Sequence, residues 1–150
     1  MLCSVPGLVS RVIKHFNQVT MRINRFEDLE IWQASRELCK MVRDVTRKQL
    51  FSKDYRFRDQ IRASSGSVMD NISEGFERDG RKEFIQHLSI SKGSCGETRS
   101  QAYRAFDYDY ITKEELEKLL SSTESLSRRI GSFINYLKNS PHKGTKYNNK

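Results

Sequence analysis

The sequence predicts an all-α protein, folded as an antiparallel up-and-down four-helix bundle. Its only two prolines, Pro6 and Pro141, lie near the ends of the chain, so nothing between them forbids long helices. Apolar residues recur at spacings of three and four in four successive segments, which is the period of an amphipathic helix. No segment shows the alternation typical of a β-strand. Long helices joined by short links favour antiparallel neighbours.

The first predicted helix runs from about Phe26 to Leu50. Asn24 and Glu27 stand at the spacing of a capping box at its start. Two adjacent apolar rows predict a wide buried face: Ile31, Ala34, Leu38, Met41 and Val45 in one row, and Trp32, Cys39 and Val42 in the other. A polar link, 52–54, follows.

The second predicted helix covers about residues 55–73, with Gly75 suited to end it and Gly80 in the turn. Small residues at 63–67 would let two helix backbones approach closely. The predicted core row has alternating spacings of four and three: Phe57, Ile61, Ser64, Val68 and Ile72.

The third predicted helix covers about residues 81–108 and has a heptad rhythm. Gly93 and Gly96 each cost about 1 kcal/mol relative to alanine in a helix interior. The small residues from Ser91 to Cys95 therefore predict close contact with another helix, which would offset that cost. The predicted core row is Phe84, Leu88, Ser91, Cys95, Thr98, Ala102 and Ala105.

Thr112 begins the fourth predicted helix, in a capping box with Glu115, and the helix ends at 139–141. We expect residues 1–23 to be a flexible extension, with Met21 as an alternative start, and residues 140–150 to be a disordered basic tail. The bundle domain is then 24–139. The core row of the fourth helix is Leu116, Leu119, Thr123, Leu126, Ile130, Phe133 and Leu137.

The formal net charge of +8 suggests nucleic-acid binding, but much of it lies at the ends of the chain. Residues 1–20 carry two basic and no acidic residues, and residues 139–150 carry three lysines. Residues 21–138 therefore carry a net charge of only +3 out of the total of +8. Basic tails on an ordinary solvated bundle explain the charge as well as an RNA-binding face does.

Three cysteines, Cys3, Cys39 and Cys95, form neither a disulfide framework nor a zinc pattern, and free thiols are typical of the reducing cytoplasm. Cys39 and Cys95 are predicted to be small core residues. Apolar stretches are broken by charge well short of the about 20 residues that span a membrane. We expect no cofactor, because no phosphate loop and no Glu-x-x-His pair occurs.

An enzyme is the least favoured reading. It would require Glu74, Glu97 and His87 to converge in a pocket. Glu97 lies beside the predicted core row, where a carboxylate needs a partner, and Arg62 is the candidate. A structural ion pair outweighs a catalytic acid there.

The centre of the chain resembles the bacterial four-helix-bundle proteins encoded in intervening sequences of 23S ribosomal RNA genes. The resemblance spans about residues 24–138. The matching stretches are 26–33 (FEDLEIWQ), 59–63 (DQIRA), 71–78 (NISEGFER), 82–84 (KEF) and 89–97 (SISKGSCGE).

This resemblance implies an up-and-down bundle, a homopentamer as in characterised relatives, and kinship with the accessory proteins of diversity-generating retroelements. Those accessory proteins are basic pentameric bundles that bind nucleic acid and a reverse transcriptase. The chain departs from the family pattern at three positions: Ser73 replaces a common alanine, Ala63 a second arginine and Asp109 a frequent glycine. The missing arginine weakens any basic face.

Two hypotheses follow. The first is an oligomeric, non-enzymatic scaffold that binds RNA or another nucleic acid, with four aromatic residues that could stack bases: Tyr55, Phe76, Tyr103 and Tyr108. The second is a protein-interaction module that does not bind nucleic acid. Arginines clustered on one face favour the first, and scattered, acid-paired arginines favour the second. The predicted contacts are Arg58, Arg62, Arg78, Arg81, Lys82 and Arg99, and the predicted structural motif is Asn71, Glu74, Gly75, Gly93, Ser94 and Glu97.

Overall fold

The computed structural model describes residues 23–78 and 80–139, and within them it is all-helical with no strand. A short 3-10 helix, Phe26–Asp28, precedes five α-helices. They are α1 (Glu30–Thr46), α2 (Gln49–Lys53), α3 (Tyr55–Glu77), α4 (Arg81–Asp107) and α5 (Lys113–Asn139). None of the helices in this described part of the chain has an apolar stretch of membrane-spanning length.

The four long helices surround one apolar core. α1 and α4 each pack against both α3 and α5, so every long helix has two long neighbours. The core rows predicted for α3 and α4 are buried in full, which confirms both. In α5 only Phe133 differs: it is half-buried, and Ile134 beside it takes the core position.

The first predicted helix is wrong as a single helix, because the chain breaks at two places. Leu29 is extended before α1, and Lys48 is extended after it. The second break starts the short helix α2 and carries Phe51 into the core, where its ring stacks on Tyr110 at 4.9 Å. Burial of this ring accounts for the break.

The predicted Asn24–Glu27 capping box is also wrong. No side chain caps the 3-10 helix or α1, and Glu27 instead pairs with Arg25 at 3.3 Å. Of the predicted polar link, Ser52 and Lys53 lie in α2, and only Asp54 is left to cap α3. Its carboxylate accepts a hydrogen bond from the Phe57 backbone N–H at 3.1 Å.

The second predicted helix is too short, because α3 continues through Gly75 to Glu77. Gly75 does not end the helix. It is buried, and a Cβ built on it would lie 2.6 Å from His87 Cβ and 2.9 Å from Phe84 Cδ2. This glycine lets α4 approach α3 closely.

Further predictions concern single side chains and the last cap. Phe76, named as a possible base-stacking ring, is buried, and its ring packs edge-on against Phe84. Cys95 is buried as predicted, but Cys39 is only half-buried, and so are Ala34 and Met41. The capping box of the fourth helix is confirmed. Thr112 N–H donates to Glu115 Oε2 at 2.8 Å, and Glu115 N–H donates to Thr112 Oγ1 at 3.2 Å.

Candidate nucleic-acid interface

The six predicted nucleic-acid contacts lie in three separate places. Arg58 and Arg62 lie in the first half of α3, where Arg62 contacts the end of α1 and Arg58 contacts α2. Arg78, Arg81 and Lys82 flank the α3–α4 link, about 30 Å along α3 from Arg58 at 1.5 Å per residue. Arg99 lies on the side of α4 that faces α5.

Arg58 is held in place by three groups. Its Nε lies 2.8 Å from Asp59 Oδ1, its Nη1 donates to the Ser52 carbonyl at 3.2 Å, and its guanidinium lies 4.9 Å from the ring centre of Tyr55. The Arg58 hydrogen bond lowers the pKa of Asp59, so this carboxylate stays ionised and offsets part of the local positive charge.

The sequence analysis named Arg62 as the candidate partner of Glu97, but the two side chains do not pair. Its Nε donates to Thr46 Oγ1 at 2.8 Å, which ties α3 to the end of α1. Glu97 is exposed on α4 and accepts a hydrogen bond from Gln101 Nε2 at 3.1 Å. A carboxylate in water needs no buried partner, which explains the wrong pairing.

The other predicted contacts include two acid-paired arginines. Arg78 Nη2 lies 2.8 Å from Glu74 Oε1, and Arg99 Nη1 lies 4.0 Å from Glu124 Oε1. The hydrogen bond from Arg78 lowers the pKa of Glu74, with a smaller contribution from His87. Lys82 is exposed and Arg81 half-exposed.

Three arginines that the sequence analysis did not single out lie along α1 and directly after its end. Arg36, Arg43 and Arg47 are spaced by seven and four residues, so they share one side of the helix. That side faces α3, because the Cys39 thiol donates to the Ser65 carbonyl at 3.3 Å. The spacing along α1 was the signal that could have found them.

We call this surface the α1–α3 arginine groove, and define it as Arg36, Arg43, Arg47, Arg58 and Arg62. Arg36 and Arg43 of α1 and Arg47 directly after it are exposed, and none has a carboxylate within ion-pair distance among the residues that the structure describes. Acidic residues lie near it as well: Asp59 is paired with Arg58, and Asp70 is close enough to Cys39 to help raise the pKa of that thiol, which burial raises most. Glu30 and Glu37 line a cleft with Arg36. The surface is most basic at Arg43, Arg47 and Arg62, none of which has a carboxylate within ion-pair distance in the described residues.

The predicted structural motif joins α3 to α4 through polar side chains. Asn71 Nδ2 donates to the Ser67 carbonyl at 2.9 Å, and Asn71 Oδ1 lies 3.0 Å from His87 Nδ1. Ser67 Oγ lies 2.9 Å from Ser94 Oγ. With Gly75 against His87, these contacts make the motif a helix–helix joint.

Of the small residues in α4 that were predicted to contact a neighbouring helix, only some do so. Ser91 Oγ donates to the Val68 carbonyl at 2.8 Å, and Cys95 Sγ to the Thr123 carbonyl at 3.2 Å. At Gly93 and Gly96 the prediction is wrong within this chain, because a Cβ there would meet nothing within 4 Å. Both glycines lie toward the outside of the bundle.

The three residues that would have indicated an enzyme do not converge. His87 Nε2 lies 3.9 Å from Glu74 Oε1, but Glu97 lies ten residues further along α4, or about 15 Å. Glu97 instead lines a different, small cleft of about 180 Å³ with Gln60, Ser100, Gln101 and Arg104.

Comparison with known proteins agrees with this fold. The model of the 23S rRNA-intervening sequence protein family matches residues 27–132. A crystal structure of a protein of unknown function from the S23 ribosomal protein family of Bacteroides thetaiotaomicron has the same fold, with a TM-score of 0.64 at 24% identity. The match covers 69% of this chain and 97% of that one. No curated protein matches. The family match covers more than half of the sequence, so this chain belongs to the 23S rRNA-intervening sequence protein family.

Proposed function

We propose that this protein is a non-enzymatic bundle that binds RNA through the α1–α3 arginine groove. One observation carries the proposal: Arg36, Arg43 and Arg47, in α1 and at its end, are exposed with no carboxylate within ion-pair distance in the described residues, and Arg62 of α3 is bonded to the end of the same helix. Guanidinium groups bind phosphate oxygens through pairs of parallel N–H donors. Because the family name refers to ribosomal RNA, a structured ribosomal RNA fragment is the first ligand to test.

The proposal includes an antiparallel up-and-down arrangement of the four long helices, a homo-oligomeric ring, expected to be a pentamer, and a cytoplasmic location. Contacts between α3 and α4 support the antiparallel part, because residues further along α3 contact residues earlier in α4. The pairs are Gln60 with Arg104, Ser67 with Ser94 and Asn71 with His87. In a ring, the groove would recur on each subunit, and several weak phosphate contacts would add through avidity.

Charge reversal in the groove tests RNA binding. Arg43→Glu/Arg47→Glu should weaken binding of a fluorescein-labelled ribosomal RNA hairpin at least tenfold in fluorescence anisotropy, and lower the salt slope by about two. Both side chains are exposed, so the variant should fold. The matched control is Lys113→Glu/Arg128→Glu, which changes the net charge equally at exposed positions of α5. Equal losses in both variants would mean that general charge, and not this groove, attracts the RNA.

Protein interaction is the second candidate function, and the outer side of α4 favours it. Gly93 and Gly96 leave open space there, and Ile90 and Tyr103 are 46% and 49% exposed. Glycines that cost helix propensity and contact nothing in their own chain suit the close approach of another helix. We propose a second copy of the chain as that partner, as the ring requires.

Light scattering with size-exclusion chromatography tests this interface. The wild-type chain should elute as an oligomer, and Gly93→Leu, which fills the open space, should dissociate it. Ser132→Leu, at an exposed position of α5, is the control. A monomeric wild-type chain would remove the ring from the proposal.

A further inference from the structure

We propose that the α1–α3 arginine groove binds single-stranded RNA, with one unpaired base stacked on the ring of Tyr55. The inference rests on the proposed RNA binding at the same groove and specifies the form of RNA that it binds. The exposure of the Tyr55 side chain is not explained by packing within the chain. Tyr55 is 67% exposed, while the neighbouring rings of Phe51 and Phe57 are buried and in contact with each other at 5.1 Å.

Tyr55 and Arg58 together form a stacking platform. The Arg58 guanidinium lies over the ring at 4.9 Å, and Asp59 and the Ser52 carbonyl hold it there independently of the ring. Because the tyrosine ring is mostly in solvent, a base can reach it without moving the core. Aromatic rings beside arginines are the groups on which proteins stack the bases of single strands.

The groove holds a second ring at its other end. Trp32 lies in the first turn of α1, and the Arg36 guanidinium lies 5.9 Å from its ring centre. Tyr55 is at the opposite end, since Arg62 on the same helix contacts Thr46 at the end of α1. The 17 residues of α1 span about 25 Å, the length of about seven stacked nucleotides of one strand.

The arrangement fits one strand better than a duplex. In a duplex, neighbouring bases cover each other's faces, and proteins read its shape through phosphate and 2′-hydroxyl contacts across the minor groove. Such binding makes no use of an exposed ring. A single strand can place its phosphates along the arginines of α1 and present one unstacked base to Tyr55.

The test compares a fluorescein-labelled single-stranded RNA octamer with an eight-base-pair duplex, on the full chain, by fluorescence anisotropy. The wild-type protein should bind the octamer more tightly than the duplex. Tyr55→Ala should weaken octamer binding about tenfold, within the range for loss of one stacked base. Tyr55→Phe, which keeps the ring, should bind as the wild type does. The wild type and Tyr55→Phe are the matched controls, because both keep the ring at this position.

The outcomes separate this inference from the proposed function. If the wild type binds RNA with a steep salt dependence but Tyr55→Ala binds the octamer as tightly as the wild type does, the stacking site is wrong and RNA binding stands. Tighter binding of the duplex would also overturn the inference. If the wild type binds neither RNA, both proposals fail, and Tyr55 becomes a candidate contact for a protein partner.

Discussion

Asn71 Oδ1 lies 3.0 Å from His87 Nδ1, and this contact determines the tautomer of the histidine. The amide nitrogen of Asn71 already donates to Ser67, both to its carbonyl at 2.9 Å and to its hydroxyl at 3.1 Å. Asn71 therefore faces His87 with its oxygen, so Nδ1 must carry the proton. One side chain thus joins two turns of α3 to α4.

Loss of this joint should destabilise the protein. Asn71→Ala leaves the His87 N–H without its acceptor in a half-buried position, which should lower the free energy of unfolding by about 1 kcal/mol. Urea denaturation measures the change, with Asn135→Ala at an exposed position of α5 as the control. Equal stability of the two variants would show that water replaces Asn71 at no cost.

Glycines in α3 and α4 should respond in opposite directions to alanine. Gly75→Ala places a methyl group 2.6 Å from His87 Cβ and should cost about 1–3 kcal/mol of stability through overpacking. Gly93→Ala adds a methyl group that meets nothing within 4 Å in its own chain, so at protein concentrations where the subunits are dissociated it should stabilise the folded chain by up to about 1 kcal/mol. Thermal unfolding of both variants measures the contrast. A destabilised Gly75→Ala together with a destabilised Gly93→Ala would indicate that Gly93 is covered by another chain.

Tyr110 should ionise only at unusually high pH. Its hydroxyl donates to Asp54 Oδ2 at 3.0 Å, and this hydrogen bond is the main cause that raises the pKa of Tyr110. A pKa raised in the folded state means that the contribution to stability is complete below about pH 10 and is lost as the pH rises through the folded-state pKa. Absorbance titration at alkaline pH should show the Asp54→Asn variant ionising at lower pH than the wild type. Superimposable curves would contradict the prediction.

Both described cysteines should react slowly in the folded protein. Burial raises the pKa of Cys95 to about 11 and also raises that of Cys39, and each thiol donates to a backbone carbonyl. Little thiolate is then present at pH 8. In a Cys3→Ser variant, which removes the one cysteine outside the described residues, a thiol reagent should label the chain fast only after unfolding in urea. Fast labelling of two thiols per folded chain would refute this.

The contributions of the α3–α4 link and of the groove to RNA affinity can be compared by charge reversal. Arg78→Glu/Lys82→Glu reverses two charges there, as Arg43→Glu/Arg47→Glu does in the groove. Because Arg78 is already paired with Glu74 at 2.8 Å, we expect RNA affinity to fall no more than about threefold in the first variant, against at least tenfold in the second. The reverse order would assign the RNA contacts to the α3–α4 link.

Periodicity predicted the helices well where one side of a helix faces the core along its whole length. The rows of α3 and α4 are of this kind, and each of their members is buried. The breaks on either side of α1 escaped prediction because no proline or glycine marks them. They follow from contacts with distant parts of the chain, such as the packing of Phe51 on Tyr110.

Only part of the candidate site could be predicted from the sequence. Arg58 and Arg62 were singled out by their spacing within one helix, and the same rule applied to α1 would have added Arg36, Arg43 and Arg47. That the two sets share a groove depends on how α1 packs on α3, as the Cys39–Ser65 and Thr46–Arg62 contacts reveal.

The sequence by itself determined the helical class, the core rows of α3 and α4, the cap of the last helix and the family, because each depends on local spacing or on a contiguous motif. Only the tertiary structure decided which charged groups are paired, where α3 and α4 approach closely, and which arginines lie together. These depend on distances between residues far apart in sequence, such as Gly75 against His87 or Arg62 against Thr46. Helical periodicity gives the direction of a side chain around its own axis, and the packing of the helices then determines what that side chain meets.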